Sequence, residues 1–406
     1  MTSRTSRWSA VLLATTGTLL GCARYRPAPL DPERPLRAGP VPSGAAWTFE
    51  GAVRYAIDHN PDLAALRAHA LAVNVDPPRA PVDGSVGVDS DRRAELGLSV
   101  DALSLLGLGS RPYEVALACA RRNEAFMAHH ERARAIAGEI AEVLAVEQAL
   151  GALAEPEYRV DVSAFVRAGL EAGSAETAAA ATGEAWKAEQ AERVAERTSN
   201  RLAWIRALGL PSRSEVRVVP VPAAWPEVPE PSPSAIVAAR ADIQRRIAAF
   251  ETADRELRLA VRGQYPSLIL EPGLAFDPAT LFGAVRLSLP TGMSGAVRAA
   301  ESAREAARAE VESAVLDALR EAGEARARWT AAGAALLAAR KRVDASSALL
   351  SSSRLRLEVA SGSPVETVLA ADAVVDAAAG LRTATVESAR ARVRAARAAG
   401  WPGLPR

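Results

Sequence analysis

Val315–Leu357 reads VLDALREAGEARARWTAAGAALLAARKRVDASSALLSSSRLRL, and every seventh residue is apolar: Val315, Ala322, Trp329, Leu336, Val343, Leu350 and Leu357. Three residues after the first six of these stand small side chains: Ala318, Ala325, Ala332, Ala339, Ser346 and Ser353. A heptad line of large residues beside one of small residues predicts a helix packed along a seam. The proline-free run around it extends from Thr291 to Ser363, more than seventy residues of mostly Ala, Arg, Glu, Val and Leu. At ~1.5 Å per residue such a helix is on the order of 100 Å long. That is several times the roughly 11-residue mean of globular helices, so the helix spans a distance instead of closing a compact domain.

Composition agrees. Across 406 residues only 4% are aromatic and alanine is in great excess, which suits closely packed long helices better than large mixed cores. The net charge is +1 with both signs interspersed, so no basic surface for nucleic acid is expected. Arg4 and Arg7 precede an apolar segment from Trp8 to Leu20, too short to span a bilayer and laid out like a secretory signal. It ends in Leu19-Leu20-Gly21-Cys22, which resembles the lipobox of bacterial lipoproteins, so Cys22 is the expected lipidation site. Residues 1–21 read as the signal peptide and 22–46 as a Pro-rich tether. Ala23, rather than an acidic residue, follows the cysteine, and by the sorting rule known for lipoproteins this permits transport to the outer membrane. Cys119, the one other cysteine, reads as a small buried apolar residue, so no disulfide framework is expected.

No catalytic constellation, metal site or cofactor motif emerges, and an enzyme is not expected. His59 and His69 lack partners at metal-ligand spacing, and the adjacent His129 and His130 point to different helix faces. All four read as solvated.

The order of elements is informative. Thr48 is placed to cap a helix carrying Ala52, Val53, Ala56 and Ile57 on one face, and Asn60-Pro61-Asp62-Leu63 starts a second helical piece. Turn residues follow, then alternation from Ala94, with Leu96, Leu98 and Val100 opposite Glu95, Gly97, Ser99 and Asp101. A long helix begins at Arg111, with Ile136, Ile140, Val143, Leu144 and Leu150 on its apolar face, and Pro156 is expected to interrupt it. A turn at Glu171-Ala172-Gly173-Ser174 leads to a returning helix that stops at Gly209-Leu210-Pro211.

After a Pro-rich linker the order recurs. A helix from about Ala235 to Arg262 leads to a strand pair containing Leu268–Leu270 and Val285–Leu289. The opening helix, a turn at Ser361-Gly362-Ser363-Pro364 and a returning helix to about Ala399 complete it. Arg240-Ala241-Asp242-Ile243 stands where Asn60-Pro61-Asp62-Leu63 stood. The boundaries are a first repeat at 47–211, a linker at 212–234, a second repeat at 235–399 and a tail at 400–406. A spacing of roughly 180 to 190 residues is too long for a solenoid unit, which points to duplication of a half-protein.

Each half supplies two candidate strands. If these face lipid, every backbone group must be paired in a closed barrel. Four strands are too few, since transmembrane barrels start at about eight, so several copies would share one barrel. If they belong to a soluble sheet, the polar residues face solvent.

With the lipobox-like start, the Asn-Pro-Asp-Leu helix, Tyr265-Pro266-Ser267-Leu268 and the Gly362-Ser363 turn before Val368-Leu369, the chain resembles the TolC-like outer membrane efflux proteins. The resemblance covers Trp47 to about Ala399 and lies in the order of short motifs. It implies a mainly α fold of long antiparallel coiled-coil hairpins in two internal repeats, each with a strand pair contributing to a shared trimeric transmembrane β-barrel. It also implies a lipid-anchored homotrimer in the outer membrane with a periplasmic helical tunnel, acting as a passive exit duct. Its implied partners are a periplasmic adaptor, an inner-membrane pump and outer-membrane lipid.

On that reading Gly173, Ser174, Gly362 and Ser363 form the tunnel-tip turns and candidate adaptor contacts. Glu95, Ser99, Asp101, Arg286 and Ser288 would face the lumen. Glu366 and Asp372 are the candidate gate acids, although the places where many members carry an aspartate pair hold Thr367 and Ala370 here. Glu366 and Asp372 also fit as plain solvated acids near a helix N-terminus. The alternative function is an adaptor-type or structural coiled-coil lipoprotein without a pore.

Overall fold

The computed structural model describes residues 47–73, 82–88, 94–101, 109–153, 172–211, 214, 232–265, 267–276, 279–288, 294–359 and 361–401. Cys22, the tether, Pro156 and most of the linker lie outside them. In chain order the elements are α1 (Phe49–His59), α2 (Pro61–Ala72), β1 (Val82–Val88), β2 (Ala94–Asp101), α3 (Arg111–Gly151) and α4 (Ala172–Leu208). Then follow α5 (Pro233–Ala239), α6 (Ala241–Arg262), β3 (Ser267–Phe276), β4 (Ala279–Ser288), α7 (Ser294–Glu358) and α8 (Pro364–Ala398). The order of two helices, a strand pair, a long helix and a returning helix thus occurs twice.

One joint is built twice, and it explains why the helices break where they do. Asn60 ends α1 and begins α2 in extended conformation, with Pro61 at the first helical position. Its Oδ1 accepts from the Asp62 N–H at 2.9 Å, and its buried Nδ2 donates to the Ala207 carbonyl at 3.1 Å. In the second half Arg240, also extended, separates α5 from α6, so the single helix expected over Ala235–Arg262 is two. Each half opens with a side-chain cap, Thr48 accepting from Gly51 N–H at 3.0 Å and Ser232 accepting from Ala235 N–H at 3.2 Å.

The returning helices close onto these joints through matching Schellman ends. After α4, Gly209 N–H donates to Arg206 O and Leu210 N–H to Ile205 O; after α8, Gly400 N–H donates to Arg397 O and Trp401 N–H to Ala396 O. Both glycines have left-handed backbone, at φ 72° and 94°. A Cβ on Gly209 would lie 2.8 Å from Asn60 Cα and from Pro61 Cδ. Gly209→Ala is therefore expected to cost about 1–3 kcal/mol from backbone strain, with the contact to the α1–α2 joint adding to it. Denaturant titration of the full chain reads this directly, and a variant as stable as its parent would contradict the joint.

Two apolar clusters seat the joints. Trp47, Val53, Leu63, Ile136, Ile140, Trp204 and Leu208 surround the first. Ile236, Ile243, Ala314, Ala318, Ala322 and Ala398 form the second. The five apolar positions expected on α3, Ile136, Ile140, Val143, Leu144 and Leu150, are all buried. Cys119, expected to be buried, is exposed. Leu117 is the buried residue there, and two positions on, about 200° around the helix, a side chain faces the other way.

Helix α7 runs for 65 residues and packs chiefly along α8 and, in its N-terminal half, along α6. Between Trp329 and Leu357 the heptad positions named above are all buried or half-buried, while nearly everything between them is exposed. The seam is therefore real within one chain. It is deepest at its ends: Ala318 and Ala322 are buried near α6, and Leu350 and Ser353 near the far turn.

Candidate functional site

The four strands form one antiparallel sheet in the order β1-β2-β3-β4, so the two strand pairs, far apart in sequence, join edge to edge. Opposite residues in antiparallel strands share a face, and the register can be followed across the sheet. Asp101 lies opposite Ile269, which lies opposite Arg286; Glu95 lies opposite Ala275, and Ser99 opposite Asp83. Ser288 pairs with Ser267 in the same set of rows. Glu95, Ser99, Asp101, Arg286 and Ser288 are thereby brought to one face.

The opposite face carries Val82, Val86 and Val88 from β1, Leu96, Leu98 and Val100 from β2, Leu268, Leu270, Leu274 and Phe276 from β3, and Leu281, Val285 and Leu287 from β4. Val285 is 70% exposed and Leu287 57%. Large apolar side chains exposed side by side on a sheet, as Leu270, Val285 and Leu287 are, mark a surface that contacts another apolar phase or partner. Strands β3 and β4 span 10 residues each, longer than the arms read from sequence. Glu271-Pro272-Gly273 lies within β3. Pro272 has no N–H to give, and the β2–β3 register skips that position while β3–β4 pairing continues through it.

The far turn between α7 and α8 is tight. Ser361 N–H donates to Arg356 O at 2.9 Å, and a Cβ on Gly362 would lie 2.9 Å from Arg356 C and Leu357 N. Gly362 is thus required by close approach to the end of α7, and not by a left-handed backbone. Ser363 occupies the N-cap position of α8, but its side chain makes no capping bond. Glu366 is exposed in the first turn and Asp372 is half-buried. Six residues separate them, about 9 Å along the axis and roughly 240° around it, so the two carboxylates are not brought together. Gly173 and Ser174 correct the expected first turn: α4 already begins at Ala172, which makes both helical, and residues 154–171 lie outside the described part.

Sequence reasoning missed the contact that ties the two hairpins together. Arg382 on α8 is 7% exposed and reaches three glutamates of α4: Glu189 at 2.8 Å, Glu192 at 2.5 Å and Glu196 at 2.8 Å. Burial alone would lower the Arg382 pKa, but the bonds to Glu189 and Glu196 outweigh it and hold it above its ordinary value. Further along the same stripe, Arg390 approaches Glu196 at 3.5 Å and Arg394 pairs with Glu142 of α3 at 3.0 Å. The signal was present as glutamates at i, i+3 and i+7 on α4 and arginines at i, i+8 and i+12 on α8.

His129 and His130 are half-buried, not solvated as expected, and burial pushes both pKa values down, aided by Arg67 at His129 and by Arg134 at His130. Among the described residues no cluster of His, Cys, Asp and Glu has metal-site geometry. No described helix is long and apolar enough to cross a membrane.

Solved structures with the same architecture exist. The outer-membrane channel OprN matches with a TM-score of 0.66 at 18% identity, over 88% of this chain and 91% of that one. The outer membrane protein VceC from Vibrio cholerae matches at 0.64 and 16%, over 87% and 96%, and the Campylobacter jejuni outer membrane channel CmeC at 0.64 and 13%, over 93% of both chains. No protein-family model and no curated protein matches the sequence. The twice-built joint, the paired long hairpins and the shared four-stranded sheet give this chain the fold of the TolC-like outer-membrane channels.

Proposed function

We propose that the chain is one protomer of an outer-membrane channel-tunnel, a passive exit duct whose wall is made of the long hairpins. The observation that carries this is the sheet: by register one face is apolar from β1 to β4, with Leu270, Val285 and Leu287 exposed on it, and the other holds Glu95, Ser99, Asp101, Arg286 and Ser288. In lipid every backbone group must be paired, and β1 and β4 each leave an edge that a neighbouring copy can pair. Three copies would close a 12-stranded barrel, within the range known for such pores. The twice-built joint supports the duplication of a half-protein on which the repeats 47–211 and 235–399 rest.

In this reading Cys22 carries the lipid anchor in the outer membrane and the helices descend into the periplasm. The turn at Gly362 and Ser363, and the segment leading into Gly173 and Ser174, form the tip that meets a periplasmic adaptor and, through it, an inner-membrane pump. Glu366, exposed in the first turn of α8, is the better placed of the two acids for a ring at the tunnel mouth. An adaptor-type lipoprotein is less well supported, because the chain carries two long hairpins and a sheet shared between its halves. The full-length protein is expected to migrate as a heat-modifiable trimer and to give stepwise conductance in planar bilayers. A monomer that opens no pores would overturn the channel.

A further inference from the structure

Behind the second joint lies a cleft of about 450 Å³ whose wall includes four arginines, Arg134, Arg240, Arg394 and Arg397, and three acids, Glu131, Asp242 and Glu321. Each acid has an arginine partner: Asp242 and Glu321 share Arg240, at 2.8 and 2.6 Å, a trio with one negative charge over, and Glu131 binds Arg245, outside the cleft, at 2.9 Å. Arg394 is held by Glu142, also outside it. Among the described residues no carboxylate pairs with Arg134 or Arg397, so these two cations offset the trio's surplus negative charge and leave the cleft one positive charge over.

Among the described residues Arg134 donates through Nη1 to the main-chain carbonyls of Ala239 and Gly400, and its Nε is buried with no partner. Burial pushes its pKa down from the ordinary value, the direction expected of a cation lacking a counter-charge. Arg397 is half-buried and lies directly over Gly138: a Cβ there would be 2.3 Å from Arg397 Nε and 2.8 Å from its Cζ. Gly138 thus makes the space in which this guanidinium sits. The left-handed Gly400, pressed against Ala239, presents its carbonyl to Arg134.

We propose that this cleft binds a small polyvalent oxyanion of the phosphate class, with Arg134 and Arg397 as its two binding cations. Two guanidiniums partly removed from water favour an anion that accepts several charge-assisted hydrogen bonds, and phosphate oxygens match the guanidinium fork. The volume accommodates inorganic phosphate or a phosphomonoester. The site involves neither the sheet nor the tip, so it stands apart from the channel reading.

The test is calorimetric titration of inorganic phosphate into the full-length protein in detergent, against chloride at matched ionic strength. Saturable binding is expected, weakened about tenfold or more in Arg134→Gln and in Arg397→Gln, because each removes a charge-assisted contact. Gly138→Ala, which changes no charge but displaces Arg397, should weaken binding likewise. It also serves if an arginine variant fails to fold. Arg308→Gln, in an exposed ion pair with Glu312 on α7, should bind as the parent does. Tighter binding of a phosphatidylglycerol headgroup analogue than of inorganic phosphate would assign the source as lipid, and the reverse order a free anion. Heat no greater than that of chloride, or phosphate affinity unchanged in all three cleft variants, would overturn the site.

Discussion

Arg382→Ala is expected to destabilise the protein by about 3 kcal/mol, the low end of the range for removing one partner of a buried ion pair. The substitution leaves Glu189, whose side chain is 3% exposed, without its main cation. Arg193 still reaches Glu189 at 3.1 Å, which limits the loss, and Glu196 keeps its approach to Arg390. Arg382→Lys should fall in between, since an ammonium cannot reach three carboxylates in the geometry of a guanidinium. Removing both charges, as in Arg382→Met with Glu189→Leu, should recover most of the loss, because an apolar pair of similar volume has no desolvation to offset. The measurement is the denaturant midpoint of the four proteins. If Arg382→Ala unfolds where the parent does, the cluster does not hold the hairpins together. The same clamp bears on assembly, because it fixes how α8 is seated against α4 in each protomer.

Leu350→Lys is the second large effect. Leu350 is buried near the far end of the seam against Ala370, Ala371 and Val374 of α8. Truncating a buried leucine costs about 2–5 kcal/mol, and a lysine there must also desolvate its charge or force the helices apart. The loss should appear as faster proteolysis and hydrogen exchange over residues 345–380, with α3 and α4 unaffected. Leu336→Lys is the comparison. Leu336 occupies the same heptad line but is half-buried and borders a cleft with Ala149, Thr385 and Ala389, so a lysine can run its stem along the groove and keep its ammonium in water. Equal losses at the two positions would mean the seam is uniform along its length, against the burial observed here.

Much of this architecture was legible in the chain. The heptad line in α7 is visible because a helix–helix seam must repeat every 3.5 residues, and the stop after Leu208 is visible because only glycine enters the left-handed region without penalty. The break at Asn60 is written in its side chain and in the proline after it. The break at Arg240 was not read, because Arg240 makes no side-chain cap and is held by Asp242 and Glu321 instead. The first arm was read only as Leu268–Leu270, whereas β3 runs on through Pro272, where the β2 ladder alone is interrupted.

By itself the sequence determined the long helices, the seam of α7, the stop after Leu208 and the alternation of β2, because these follow from local periodicity and backbone preference. The tertiary structure alone decided that β2 pairs with β3, which brings five polar residues separated by up to 193 positions onto one face. It alone decided that Arg382 meets Glu189, and that Arg134 and Arg397 line one cleft. Those are relations between segments more than a hundred residues apart, and no local periodicity encodes which distant faces come together. That is set by which apolar surfaces bury each other and which charges remain to be matched.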